Sequence, residues 1–131
     1  PSIIFESDAA NFQKANSKLS SAQVKKNLEI LDRIAAILKK FPDYKISIQG
    51  HANRLSDNEE EETVDNLNVW GRALVPLSKE RAEGIKAYLV KKGVPASNIS
   101  TEGLGGTRPV VNPKDKDNNW KNRRVEFILM K

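Results

Sequence analysis

The stretch SSAQVKKNLEILDRIAAILKKFP, Ser20 to Pro42, constrains the fold more than any other part of the chain. Val24, Leu28, Leu31, Ile34 with Ala35, and Leu38 recur at three- and four-residue intervals, which lines one face of a helix with apolar side chains. Ser20 or Ser21 can cap its start; Lys39 and Lys40, followed by Pro42, mark its end. A striped helix must bury its stripe, and the neighbouring segments offer strands to bury it on. YKISIQG sets Ile46 and Ile48 against Lys45, Ser47 and Gln49, the alternation of a half-buried strand. SIIF, Ser2–Phe5, reads as a short buried strand, NISTEG as another, and RRVEFILMK as the last. LSKERAEGIKAYLVKKG is a second helix, with Ala82, Ile85 and Leu89 inward and Lys91-Lys92-Gly93 as its C-terminal signature. The order β-α-β-loop-α-β-loop-β predicts an α+β fold, two helices on one face of a mixed sheet.

At 131 residues the chain is one domain, 1–131. It carries no cysteine and a single histidine, His51, which leaves disulfides, thiolate metal sites and multi-histidine centres without their residues, and a Ser-His-Asp triad is not expected. No cofactor or metal is expected, and no nucleophile stands beside a recognisable base, so the expectation is a protein that is not an enzyme. No apolar run approaches the roughly 20 residues of a membrane helix, and no leader pattern opens the chain. Its abrupt start in strand-like SIIF reads as a domain excised from a longer protein. The net charge of +5 is unevenly spread: Ser56–Asp65 holds six acids and no base, leaving 22 bases against 11 acids elsewhere. The basic remainder lacks both an aromatic stacking platform and a basic helix, so no nucleic-acid partner is expected.

Four features bear on function. Residues 54–76 form a long, partly acidic insertion loop; connections of that length in a compact domain are commonly functional or disordered. Val64, Leu67, Val69 and Trp70 suggest that its second half packs. DNEEEETVD has neither the alternating oxygens nor the central glycine of a calcium loop, and the acids are most simply solvated. Arg81 is the most informative residue. With Ser78 as N-cap it falls at N3, where a capping box has Glu or Gln and where the helix dipole opposes a cation. It is either a ligand group, whose loss would change stability little, or a surface arginine turned to a nearby acid. Asn122-Arg123-Arg124 precedes the last strand, where alternation sends the two arginines to opposite sides; one can grip a carboxylate, or both are strand-end cations. His51, at a strand end, is a structural histidine or a ligand. GLGGTRP lacks the Lys-Ser/Thr of a phosphate loop and reads as a turn.

In NLEILDRIAAILKKFPDYKISIQGHAN, LSKERAEGIKAYLVKKGV with ISTEGLGGTRPV, and NRRVEFIL, the chain resembles the OmpA-like C-terminal domains of the bacterial envelope. The strand-Gly-His, the Leu-Ser-x-x-Arg-Ala helix start and the Asn-Arg-Arg-Val strand start occur in the family's order. The resemblance implies a β-α-β-α-β core with an added strand. It also implies a periplasmic location in an outer-membrane-associated protein, and non-covalent binding of peptidoglycan through the stem-peptide diamino acid, usually diaminopimelate. The family's Gly-His-Thr-Asp places an Asp on the ligand ammonium; here those positions read Gly50-His51-Ala52-Asn53. Arg81 matches the family's carboxylate-binding Arg, and Arg123 the first arginine of Asn-Arg-Arg. Counting back seven residues from Arg81 puts a further pocket position on Leu74. The expected ligand residues are therefore Asn53, Arg81 and Arg123, with His51, Ala52, Leu74 and Asn122 around them. Loss of the Asp charge implies weakened binding. The alternative is a module that has lost wall binding and meets a protein partner through the acidic residues 56–65.

Overall fold

The computed structural model describes residues 2–4, 10–16, 19–53, 75–106, 108, 110–112, 115 and 117–130. Four strands, β1 (Ser2–Ile4), β2 (Lys45–Gly50), β3 (Ile99–Gly103) and β4 (Arg124–Met130), form one sheet in the order β1-β4-β2-β3. β4 runs antiparallel to both β1 and β2, whereas β2 and β3 are parallel. A parallel pair needs a crossover, and the helix between them in sequence is that connection.

Helix α1, Ser21–Lys40, ends where the sequence predicts. Ser20 is the cap, its Oγ accepting the Gln23 N–H at 3.1 Å. Helix α2, Val75–Lys91, starts earlier than expected. Val75 and Pro76, assigned above to the loop of residues 54–76, are its first two residues. Proline fits a helix's first turn because the N–H it lacks has no partner there anyway. Residues 54–74, with the acidic run, Trp70 and Leu74, lie outside the described residues, as does Phe5.

Both helices pack on one face of the sheet. Ile3, Ile46, Ile48, Ile99 and Val125 meet Leu31, Ala35 and Leu38 of α1 and Ala82, Ile85 and Leu89 of α2. One polar residue belongs to this interior. Asn27, on the buried face of α1, donates to the carbonyls of Ile4 and Phe12 and accepts the Ile4 N–H and the Gln23 side-chain N–H. Its four hydrogen-bonding positions are filled, which ties β1 to α1. No described helix is long and apolar enough to cross a membrane.

Two glycines let α2 lie close to the sheet. A Cβ on Gly50 would stand 1.8 Å from the Ser78 carbonyl oxygen, and one on Gly103 would stand 2.8 Å from both the Lys79 nitrogen and the Val75 carbonyl oxygen. The first turns of α2 therefore press on the C-terminal ends of β2 and β3, where the expected site residues gather.

Candidate functional site

The segment that leaves β2 is held residue by residue, by anchors from three other parts of the chain. The Gly50 carbonyl accepts the Leu104 N–H at 3.0 Å. The His51 N–H donates to the Arg124 carbonyl at 2.8 Å, and the Ala52 N–H to the Gly105 carbonyl at 2.9 Å. The His51 carbonyl accepts Nη1 of Arg81 at 2.9 Å. Asn53 Oδ1 accepts Nδ2 of Asn122 at 2.9 Å. His51, Ala52, Asn53, Arg81 and Asn122 are thus brought to one end of the sheet.

Ser78 does not cap α2. It lies inside the helix, donating from Oγ to the Val75 carbonyl and accepting the Gly105 N–H, both at 2.8 Å. Gly105, at φ 60, uses its N–H on Ser78 and its carbonyl on Ala52, so the glycine-rich turn latches α2 to the end of β2. This latch is missing from the sequence reading, which took Ser78 for a cap and GLGGTRP for a plain turn. With the helix beginning at Val75, Arg81 leaves the first turn and the dipole argument for it falls. Its side chain is instead 1% exposed, and its guanidinium holds the strand-end carbonyl of His51. A role on the surface is excluded, and a buried guanidinium bonded to the strand end is expected to matter for stability.

Asn122, fully buried at the end of a 3₁₀ turn (Asn119–Asn122), accepts the N–H groups of Val110 and Val111 and donates to the Val111 carbonyl and to Asn53. An asparagine side chain has two donor and two acceptor positions, and all are used. The Asn122 side chain is thus fully engaged within the protein, one of its bonds reaching Asn53. Arg123 is half-buried immediately before β4. Arg124 is buried, donating to Glu126 at 2.8 Å and to the Arg108 carbonyl at 3.0 Å.

His51 lies beside this pair, with Nε2 3.7 Å from Glu126 Oε2 and neither ring nitrogen hydrogen-bonded among the described residues. Burial, then the charges of Arg124 and Arg108, push its pKa down to about 4 against the opposing pull of Glu126. Burial alone would raise the Glu126 carboxyl, but the Arg124 hydrogen bond and charge outweigh it and hold the pKa below the ordinary value. Because folding depresses the histidine pKa, the unfolded chain takes up a proton first as pH falls. Stability is expected to be full above about pH 6.5 and to decline toward pH 4, by roughly 3 kcal/mol. Urea melts across this range should show that slope, and His51→Gln should remove it while leaving the carboxylate-driven loss at lower pH.

Comparison with known proteins puts this geometry in a family context. A model of the OmpA family matches residues 11–123. The peptidoglycan-binding protein ArfA of Mycobacterium tuberculosis H37Rv is 36% identical over 101 residues, 77% of this chain and 27% of ArfA. The peptidoglycan-associated lipoprotein of Rhizobium meliloti is 34% identical over 99 residues, 76% of this chain and 49% of the lipoprotein. The chain thus spans half or less of either relative. Among solved structures, the peptidoglycan-associated lipoprotein of Burkholderia pseudomallei superposes with a TM-score of 0.72 at 23% identity, covering 98% of this chain and 89% of that one. The C-terminal domain of Helicobacter pylori MotB gives 0.67 at 20% identity, covering 100% and 84%. The fold, the order of the motifs and the family match agree: the chain belongs to the OmpA family, a family of structural envelope domains and not of enzymes.

Proposed function

We propose that this domain attaches non-covalently to peptidoglycan in the periplasm, taking the diamino acid of the stem peptide as its ligand. One observation carries the reading: His51 and Asn53 of one segment are hydrogen-bonded to Arg81 and Asn122 of two others, with Arg123 next to Asn122 in sequence. The names of the ArfA and lipoprotein relatives support the choice of ligand. A guanidinium suits a carboxylate because its planar N–H fork matches two oxygens. Arg123, half-buried, is the arginine a ligand meets first. Arg81, covered and bonded to the strand end, adds positive charge to the site. Asn53 takes the amine end without a countercharge. An uncharged partner for an ammonium gives up about 1–3 kcal/mol, so binding is weaker by one to two decades than with Asp.

Co-sedimentation with purified peptidoglycan tests the reading. The domain is expected in the pellet at low micromolar to millimolar wall concentration, and Arg123→Ala should release most of it. A domain that stays in the supernatant throughout would contradict the proposal and favour a protein partner, for which the acidic residues 56–65 are the first place to look.

A further inference from the structure

The end of the domain away from Asn53 has a different chemistry. The C-terminal ends of both helices, the first residue of β2 and the last residues of β4 come together there. A Cβ on Gly93, just past α2, would stand 3.2 Å from Cδ of Lys39 on α1. Lys45, at the start of β2, pairs with Met130, and Ile46 pairs with Leu129. Lys39, Lys40, Lys45, Lys91 and Lys92 are thereby gathered at one end, all of them exposed. Two acids accompany them: Asp43 in the turn before β2, and Asp32, 3.7 Å from Lys92. None of the other four lysines has a carboxylate within 4.0 Å among the described residues. Beside these cations stand Ile37, Phe41, Leu129 and Met130, large apolar side chains that are 40–53% exposed.

Lysines set around exposed apolar side chains suit one kind of partner. A polyanion such as a nucleic acid or a wall polymer would meet the ammonium groups but offers Phe41 and Leu129 nothing to enter. The core of a protein interface is depleted in lysine. A lipid surface uses both parts: lysine stems lie along the acyl boundary with their charges among the headgroups, and the apolar side chains enter below them. Lys40 Nζ lies 5.7 Å from the centre of the Phe41 ring, so charge and ring are presented together. We infer that this end of the domain docks on a bilayer surface carrying anionic phospholipid. The six residues of β2 separate it from the site around Asn53 by about 20 Å, so lipid and wall ligand meet opposite ends of the domain. The docking does not depend on the wall reading; it adds a second partner.

The test is flotation at low ionic strength with vesicles of phosphatidylcholine alone, or of equal parts phosphatidylcholine and phosphatidylglycerol. The domain is expected to float with the mixed vesicles and not with the neutral ones, and to be released by salt. Each lysine near an anionic surface is worth about fivefold in partitioning, so Lys40→Glu combined with Lys91→Glu should weaken binding by at least about twenty-fivefold. Leu129→Ser should weaken it several-fold at constant charge. These positions are exposed, and melting curves check that the variants fold. Pelleting with peptidoglycan should be the same with and without the two lysine changes, so failure of one partner is read separately from failure of the other. A domain that stays unbound with mixed vesicles, or floats equally well after both lysine changes, would overturn the inference. So would a lipid-free dimer in sedimentation that Leu129→Ser abolishes, because a second copy of the chain would then be the occupant.

Discussion

Replacing Gly50 by alanine is expected to destabilise the domain by more than about 4 kcal/mol, enough to leave little folded protein. The added Cβ would lie 1.8 Å from the Ser78 carbonyl oxygen, 2.7 Å from its carbon and 3.3 Å from its Cα. These are backbone atoms in the first turns of α2, so no side chain can swing aside. The helix must retreat by more than an ångström, and with it go the Ser78 latch to Gly105 and the Arg81 bond to His51. Overpacking alone costs about 1–3 kcal/mol, and each buried group left unpaired adds about 1–3 kcal/mol more. Gly84→Ala is the control on the same helix. There the new Cβ meets only Phe12 Cε1 at 3.6 Å, an ordinary contact, and stability should rise by about 0.5–1 kcal/mol. Chemical denaturation of the three proteins checks both signs.

Arg81→Ala should be the next most damaging change, with a loss of about 3 kcal/mol and a fall in melting temperature of roughly 10 °C. Truncation leaves the buried His51 carbonyl without its donor and opens a void the size of a fully buried arginine. Arg81→Met separates the two effects. It restores most of the volume but not the N–H, so it should recover about half of the loss. If Arg81→Ala melted with the unaltered protein, the guanidinium would not be holding the strand end, and the account of how residues 50–53 are positioned would fail. Both Arg81 variants would bind ligand poorly for structural reasons alone, which makes Arg123→Ala the cleaner probe of recognition.

Local periodicity carried most of the fold. The spacing of Val24, Leu28, Leu31 and Leu38 and the serine before it define α1 correctly because both signals are contained within one helix. The alternation around Ile46 and Ile48 does the same for β2. The failures share one cause. Ser78 looks locally like a cap, and only Gly105, 27 residues away, reveals it as a latch. Once Ser78 is misread, Arg81 is placed in the first turn and its burial is missed. Val75-Pro76 held the contrary signal, since proline is accommodated in a first turn. Asn27 stayed unnoticed, and the hydrogen-bonding hub that Asn122 forms was missed, for a related reason. Their partners, Ile4 and Phe12 for one and Val110, Val111 and Asn53 for the other, belong to distant segments that no helical or strand period connects. Arg81 and the Arg123-Arg124 pair drew attention on local grounds, whereas Asn53 could be picked out only because the order of three short motifs resembled a family.

The most direct test of the central claim, that a guanidinium at this sheet end receives the carboxylate of a stem-peptide diamino acid, is a crystal structure of the domain soaked with diaminopimelate. The account predicts density beside Asn53 with a ligand carboxylate oxygen within about 3 Å of the Arg123 guanidinium, a charge-assisted hydrogen bond. Ligand density elsewhere on the domain, or a protein carboxylate bound in that position and persisting at saturating ligand, would contradict it.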